Sequence, residues 1–267
     1  MNHLHRELAH MSDEAWRRVD DEARAALEEF LAGRRLVDFS GTHGWDFASV
    51  ATGEVEPLDV GDDTPVVAGL RAVRPLAELR SPFSIDREAL REIDRGSRSV
   101  DLDAVVDAAR AIAAVEDDLI FDGLASARVV GVVEGSSHEP ISFDSAASVS
   151  EAVAAAITEL QDAGIDGPYG LALGGDLWRE VAGTNEGGYP LVKHLRLLVD
   201  GPVVRARTLT GGALVSQRGG DYELVVGGDL AVGFSSADGD AVHLYLTETV
   251  TFTNLEPAAA IPLRPSS

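Results

Sequence analysis

The chain has 267 residues, 45% of them hydrophobic and 25% charged, enough to bury a sizeable core, while no segment reaches the roughly 18 consecutive apolar residues that span a bilayer. A formal net charge of −23 opposes nucleic-acid binding, which needs clustered Lys and Arg to neutralise phosphate. The absence of cysteine removes disulfides, thiolate nucleophiles and thiolate metal sites together, and with no apolar secretion signal at the N-terminus the expected location is the cytoplasm.

Ser12, followed by Asp13 and Glu14, reads as an N-cap with acids in the first turn; Trp16, Val19, Ala23, Ala26, Leu27 and Phe30 then repeat at helical spacing until Gly33. From Trp45 to Leu79 short β-type runs, Glu54 to Leu58 and Pro65 to Val73, flank the acidic turn Gly61-Asp62-Asp63, which predicts a long two-stranded arm. Between Val100 and Leu124 the apolar positions 102, 105, 106, 109, 112, 113, 115, 119 and 120 predict a long, mostly buried helix with Gly123 near its end. Ser148 or Ser150 caps a further helix to Ala163, and Gly164 and Asp166-Gly167-Pro168 lead into a strand from Tyr169 to Leu173. A short helix around Trp178, an exposed Gly-rich loop and a helix from Tyr189 to Val199 follow. Residues 215 to 252 hold two short strands and one long one joined by Gly-Asp turns, the last alternating Val242, Leu244, Leu246, Glu248, Val250 and Phe252 against polar neighbours in the pattern of a half-buried strand. Pro257 and Pro262 are expected to end regular structure, and with no repeat or Pro/Ser linker any subdomains are interleaved.

Little here looks catalytic. The seven histidines are scattered without metal-ligand spacing; His3 and His5 form the nearest pair, and incidental terminal histidines explain them as well. Glu116, Asp117 and Asp118 could act as acid and base if buried, or form a solvated or Arg-paired structural patch, because consecutive helical residues face different ways. No nucleophile elbow, phosphate loop or dinucleotide fingerprint occurs, and no Ser, His and Asp set has a recognisable spacing. The only lysine is Lys193 among 22 basic residues, a pattern of halophilic proteins as well as of acidic proteins from GC-rich genomes. In either case the self-repulsion of so acidic a chain is expected to be strongest at low salt and screened at high salt.

Gly33-Arg34-Arg35-Leu36-Val37-Asp38, Gly44-Trp45, the Glu116 to Gly123 helix end, Gly164 to Trp178 with Gly188-Tyr189-Pro190-Leu191, and Arg218 to Phe252 resemble, in order, the sequence of encapsulins, the shell proteins of prokaryotic nanocompartments. The resemblance implies an α+β chain with the tailed-bacteriophage (Hong Kong 97-type) major capsid protein fold. Its implied parts are a peripheral domain (1–45, 81–130 and 225–267), an extended arm (46–80) and an axial domain (131–224). It further implies self-assembly into an icosahedral shell that catalyses nothing and encloses a ferritin-like iron-storage or dye-decolourising peroxidase cargo through a short targeting peptide, with no cofactor, nucleic-acid or membrane partner. The implied peptide site is Phe30, Arg34, Leu36, Asp38, Leu230 and Val232, where Arg34 and Asp38 serve as polar anchors or simply pair with each other. The implied five-fold pore loop is Gly183, Thr184, Asn185, Glu186, Gly187 and Gly188, with an ordinary surface turn as the alternative. Some relatives hold a flavin against an aromatic just after the arm, but residues 84–94 contain no aromatic. A proviral capsid protein shares the fold, although the helix starting at Ser12 leaves little room for a preceding scaffolding segment; a soluble hydrolase is the remaining reading.

Overall fold

A computed structural model describes residues 3–61 and 65–266. In chain order it contains α1 (Asp13–Phe30), β1 (Asp38–Ser40), β2 (Ser49–Leu58), β3 (Ala68–Pro75), β4 (Ala77–Asp86), α2 (Arg87–Asp94), α3 (Asp103–Phe121), β5 (Gly123–Leu124), β6 (Val129–Val130), β7 (Ile141–Phe143) and α4 (Val149–Asp162). There follow β8 (Tyr169–Gly174), α5 (Gly175–Gly183), β9 (Asn185–Glu186), β10 (Tyr189–Pro190), α6 (Leu191–Val199), β11 (Val203–Ala206), β12 (Gly212–Ser216), β13 (Tyr222–Val226), β14 (Ala231–Ala237), β15 (Ala241–Asn254) and β16 (Ala260–Pro265).

The local signals explain the first helix directly. Ser12 Oγ accepts the Ala15 N–H, satisfying one of the amides a helix start leaves open, and the predicted apolar stripe is the buried face. That face packs on α3 and α2, and together with Phe83, Ile85, Leu244 and Leu246 it forms one core. The spine helix, α3, departs from its predicted stripe at its C-terminal end, where Val115 is exposed and Glu116 and Asp117 are buried.

Two sheets organise the rest. In the first, the order is β1-β13-β15-β14, and β4 runs along the free side of β15 for ten residue pairs. Thr247, Glu248, Thr249 and Thr251 are all buried, so β15 is covered on both faces and not half-buried as its alternation predicts. The N-terminal segment supplies part of the second cover: the Phe234 amide donates to the Leu4 carbonyl and the Tyr245 hydroxyl to that of His3. In the second sheet the order is β11-β8-β12-β16-β7, with β8 buried along its whole length among α4, α5 and α6.

The C-terminal segment corrects two expectations. Residues 260–265 form a central strand of the second sheet, although the domain division places them with the first, and Pro262 does not end regular structure. At Pro262 only β12 is alongside, because pairing with β7 begins at Leu263; the missing N–H therefore falls on an open side. One continuous core joins residues of both sheets, from Phe252 and Leu224 to Leu171 and Leu214.

Among the described residues β2 and β3 pair only with each other. This arm carries, among the same residues, Val55, Leu58, Val67, Leu70 and Val73 as exposed apolar side chains. The tip of the predicted acidic turn, Asp62 and Asp63, lies outside the described residues. None of the described helices is long and apolar enough to cross a membrane.

Candidate functional site

A groove of about 490 Å³ runs between α1 and β14. Ala23, Leu27 and Leu31 form one wall, Leu230, Ala231 and Val232 the other, and Leu246 of β15 lies beneath. Charged groups ring it: Arg6, Asp20, Arg24 and Glu28 toward one side, Arg34 and Asp229 at the end. An apolar slot with charges at its rim suits a short extended peptide, whose apolar side chains supply affinity and whose polar groups fix its register.

Arg34 closes that end because it is held from inside the protein. Its Nε donates to both Glu116 oxygens at 2.7 and 2.9 Å and its Nη2 to Glu116 at 2.7 Å; Nη2 also bonds Glu248, and Nη1 donates to Asp229 at 2.8 Å. Both glutamates have 0% exposure, so two fully buried carboxylates share one guanidinium, which is 16% exposed. Burial opposes the Arg34 cation, but the hydrogen bonds and charge of Glu116, with Glu248 and Asp229, hold its pKa above the usual guanidinium range. In Glu248 it is the neutral form that is favoured. Burial first and the Glu116 charge second push its carboxyl well above the carboxylate range, against the pull of Arg34. Its Oε2 is buried with no hydrogen-bond partner among the described residues.

Asp117, one residue on, accepts the Ala32 N–H at 3.0 Å and the Gly33 N–H at 2.8 Å, tying the turn after α1 to the spine helix. Burial raises its pKa to about 7 against those two hydrogen bonds. The approach is close because position 33 is glycine: an added Cβ would lie 2.6 Å from Ile120 Cδ1. The acidic knot is thus the Arg-paired structural contact for Glu116 and a backbone clamp for Asp117.

Three of the six expected peptide-site residues, Arg34, Leu230 and Val232, line the groove. The other three do not. Phe30 is buried beneath the guanidiniums of Arg110 and Arg207, 5.0 and 4.3 Å from its ring centre. Leu36 packs into the core against Gly170, and with Asp38 it borders a separate small cleft toward Gln217. Asp38 accepts the Gly220 N–H instead of pairing with Arg34.

The expected pore loop is a short hairpin. Gly183 ends α5, Thr184 caps it, Asn185 and Glu186 pair with Pro190 and Tyr189, and Gly187 and Gly188 take the turn at φ 57° and 84°, where a Cβ is disfavoured. The following helix accordingly starts at Leu191 and not at Tyr189. Glu186 accepts from Ser150 at 3.2 Å and contacts His194 Nδ1. Among the described residues no group of three or more His, Asp or Glu could hold a metal ion, and His3 stacks on Trp45 at 4.1 Å. No sequence spacing marks a Ser, His and Asp set, but Ser84, 159 residues before His243, lies within hydrogen-bond distance of that ring, which in turn meets Asp238, five residues before it.

Comparison with known proteins gives one consistent result. The sequence pattern of the Linocin_M18 family, described as an encapsulating protein for peroxidase, matches residues 1–251. The chain is 42% identical to the type 1 encapsulin shell protein of Rhodospirillum rubrum, over 99% of this chain and 97% of that one. It is 40% identical to that of Mycolicibacterium paratuberculosis, over 98% of this chain and 99% of the relative. In structure it is similar to a virus-like particle from Pyrococcus furiosus, with a TM-score of 0.60 at 19% identity over 90% of this chain and 97% of the other. Similarity also extends to a protein of Mycobacterium phage Bobi, with a TM-score of 0.55 at 12% identity over 88% and 89% of the two chains. The fold is the Hong Kong 97-type capsid fold.

Proposed function

This chain belongs to the type 1 encapsulin shell proteins, and from that membership we propose that its copies close into an icosahedral container in the cytoplasm whose α1–β14 groove holds the targeting peptide of the enclosed enzyme. The observation that carries the docking site is the groove itself, an apolar slot ending on an internally braced arginine. Arg34, Leu230 and Val232 are the contacts we assign to the peptide; Phe30 packs in the core beneath the groove, and Leu36 and Asp38 are left out of the assignment. Among cargoes, the family's description as an encapsulating protein for peroxidase favours a peroxidase over a ferritin-like enzyme. The net charge of −23 disfavours enclosing DNA, as a viral capsid must.

Leu230 is the position to test, since it is half-buried at the groove wall while Val232 is part of the core. Leu230→Glu is expected to leave closed particles visible by electron microscopy and to cut enclosure of a co-expressed peroxidase at least ~10-fold, the cost of losing one apolar anchor and burying a charge. Unchanged loading would sink the docking site. For the hairpin at 183–188 we propose a pore lining in which Glu186 favours cations. Glu186→Gln should slow entry of ferrous iron into shells filled instead with a ferritin-like, iron-oxidising enzyme by roughly 10-fold at low salt, and much less at high salt, as read by stopped-flow absorbance. Equal entry rates would remove that role.

A further inference from the structure

Antiparallel pairing places Ser84 of β4 directly opposite His243 of β15. Directly opposed side chains on one sheet face come within contact distance. Here Ser84 Oγ lies 2.7 Å from His243 Nδ1, and His243 Nε2 lies 2.9 Å from Asp238 Oδ2. Asp238 follows β14 directly and opens the turn into β15, where its other oxygen accepts the N–H groups of Asp240 at 2.9 Å and Ala241 at 2.8 Å. The carboxylate is therefore fixed independently of the imidazole it orients.

These are the relations a hydroxyl nucleophile needs: a base within hydrogen-bond reach, and a third group that holds the base by its far nitrogen. The Ala241 N–H, His243 and the Asp240 N–H together hold the Asp238 carboxyl down to about 2, so it stays charged across the working pH range. Ser84 and His243 open on a cleft of about 200 Å³ that also contains Arg80 and Ser235. The Arg80 guanidinium lies over the Tyr245 ring at 3.8 Å and brings positive charge to the cleft, shared with Glu78 at 3.7 Å. Ser84 is exposed, so an incoming group reaches it without displacing protein.

We propose that Ser84, His243 and Asp238 form a nucleophilic relay that cleaves small activated esters entering this cleft. As the Ser84 Oγ–carbon bond forms, His243 takes the hydroxyl proton. It returns that proton to the departing alcohol as the ester carbon–oxygen bond breaks. Water then attacks the acyl-serine, His243 again carrying the proton, to release the acid and restore Ser84. Asp238 positions the ring and balances the imidazolium. The size of the cleft limits the acyl group to a few carbon atoms, and Arg80 favours negative charge on the substrate or in the transition state.

The test uses assembled particles. Diisopropyl fluorophosphate is expected to leave a single phosphoryl adduct on Ser84, seen by peptide mass spectrometry, as the Oγ–phosphorus bond forms and fluoride leaves. Hydrolysis of p-nitrophenyl acetate is expected to fall at least ~10-fold in Ser84→Ala and in His243→Gln, and to be unchanged in Ser99→Ala, an exposed hydroxyl in the loop between α2 and α3, outside the cleft. No adduct on Ser84 in the wild-type particle, or hydrolysis by Ser84→Ala at the wild-type rate, overturns the proposal. The labelling needs no variant, so a substitution that hindered assembly would not blur the answer, and neither readout depends on cargo.

Discussion

Arg34→Met is expected to destabilise the subunit by ~3–5 kcal/mol and to abolish closed particles, because Glu116 loses its counter-charge and Glu248, which burial already drives toward its neutral form, loses its hydrogen-bond donor, both glutamates having 0% exposure. That loss is a large part of the ~5–15 kcal/mol that holds a typical domain folded. Arg34→Lys should recover little. One ammonium cannot reproduce the fork that meets both Glu116 oxygens while also reaching Glu248 and Asp229. The cost belongs to the stranded carboxylates and not to any intrinsic worth of the ion pair, so removing them should restore the fold. The triple change Arg34→Met, Glu116→Gln, Glu248→Met is expected to regain most of the stability, measured as the midpoint of guanidinium unfolding. A triple variant as unstable as Arg34→Met would show instead that the cluster stabilises in its own right. The same triple variant separates structure from docking, since a restored shell that still excludes peroxidase would mean the guanidinium itself contacts the peptide.

Much of the framework is legible in the sequence because local chemistry decides it. Ser12 caps α1, the apolar stripes of α1 and of the first three turns of α3 are the buried faces, and the alternation across β15 marks a strand. The charged centre was harder to read, for two different reasons. Arg34 finds its partners 82, 195 and 214 residues away, which no spacing rule reaches, while its near neighbour Asp38 turns to Gly220. Glu116, by contrast, was within reach: continuing the stripe of Val105, Ala109 and Ile112 by one helical turn lands on residue 116, not on Val115. An acid on an apolar face calls for a basic partner, and the signal was the helical register and not the charge. The burial of both faces of β15 and the return of residues 260–265 to the second sheet depend on what packs against them, and strand periodicity says nothing about that. Ser84 and His243 meet across 159 residues solely through the register of β4 against β15.

Asp117→Asn should shift the pH dependence of stability in a direction that tests how far burial wins at the α1–α3 junction. In the folded subunit the Asp117 carboxyl titrates near about 7, against an ordinary value of 3.8. Below about pH 4 both states hold the proton and the group is neutral in its effect. Between there and pH 7 the folded state keeps a proton that the unfolded chain has released, so this group lowers stability as pH rises, and above 7 its cost is fully present, at most about 4 kcal/mol. Asparagine keeps an oxygen to accept the Ala32 and Gly33 N–H groups and carries no charge, but its NH₂ adds a buried donor that costs ~1–3 kcal/mol. The variant is therefore expected to be the weaker protein at pH 4 and to gain on the wild type by several kcal/mol at pH 8, in unfolding curves taken at both values. If the difference stays flat with pH, Asp117 is ionised throughout, and the two backbone N–H groups, aided by the open turn at Gly33, outweigh its burial.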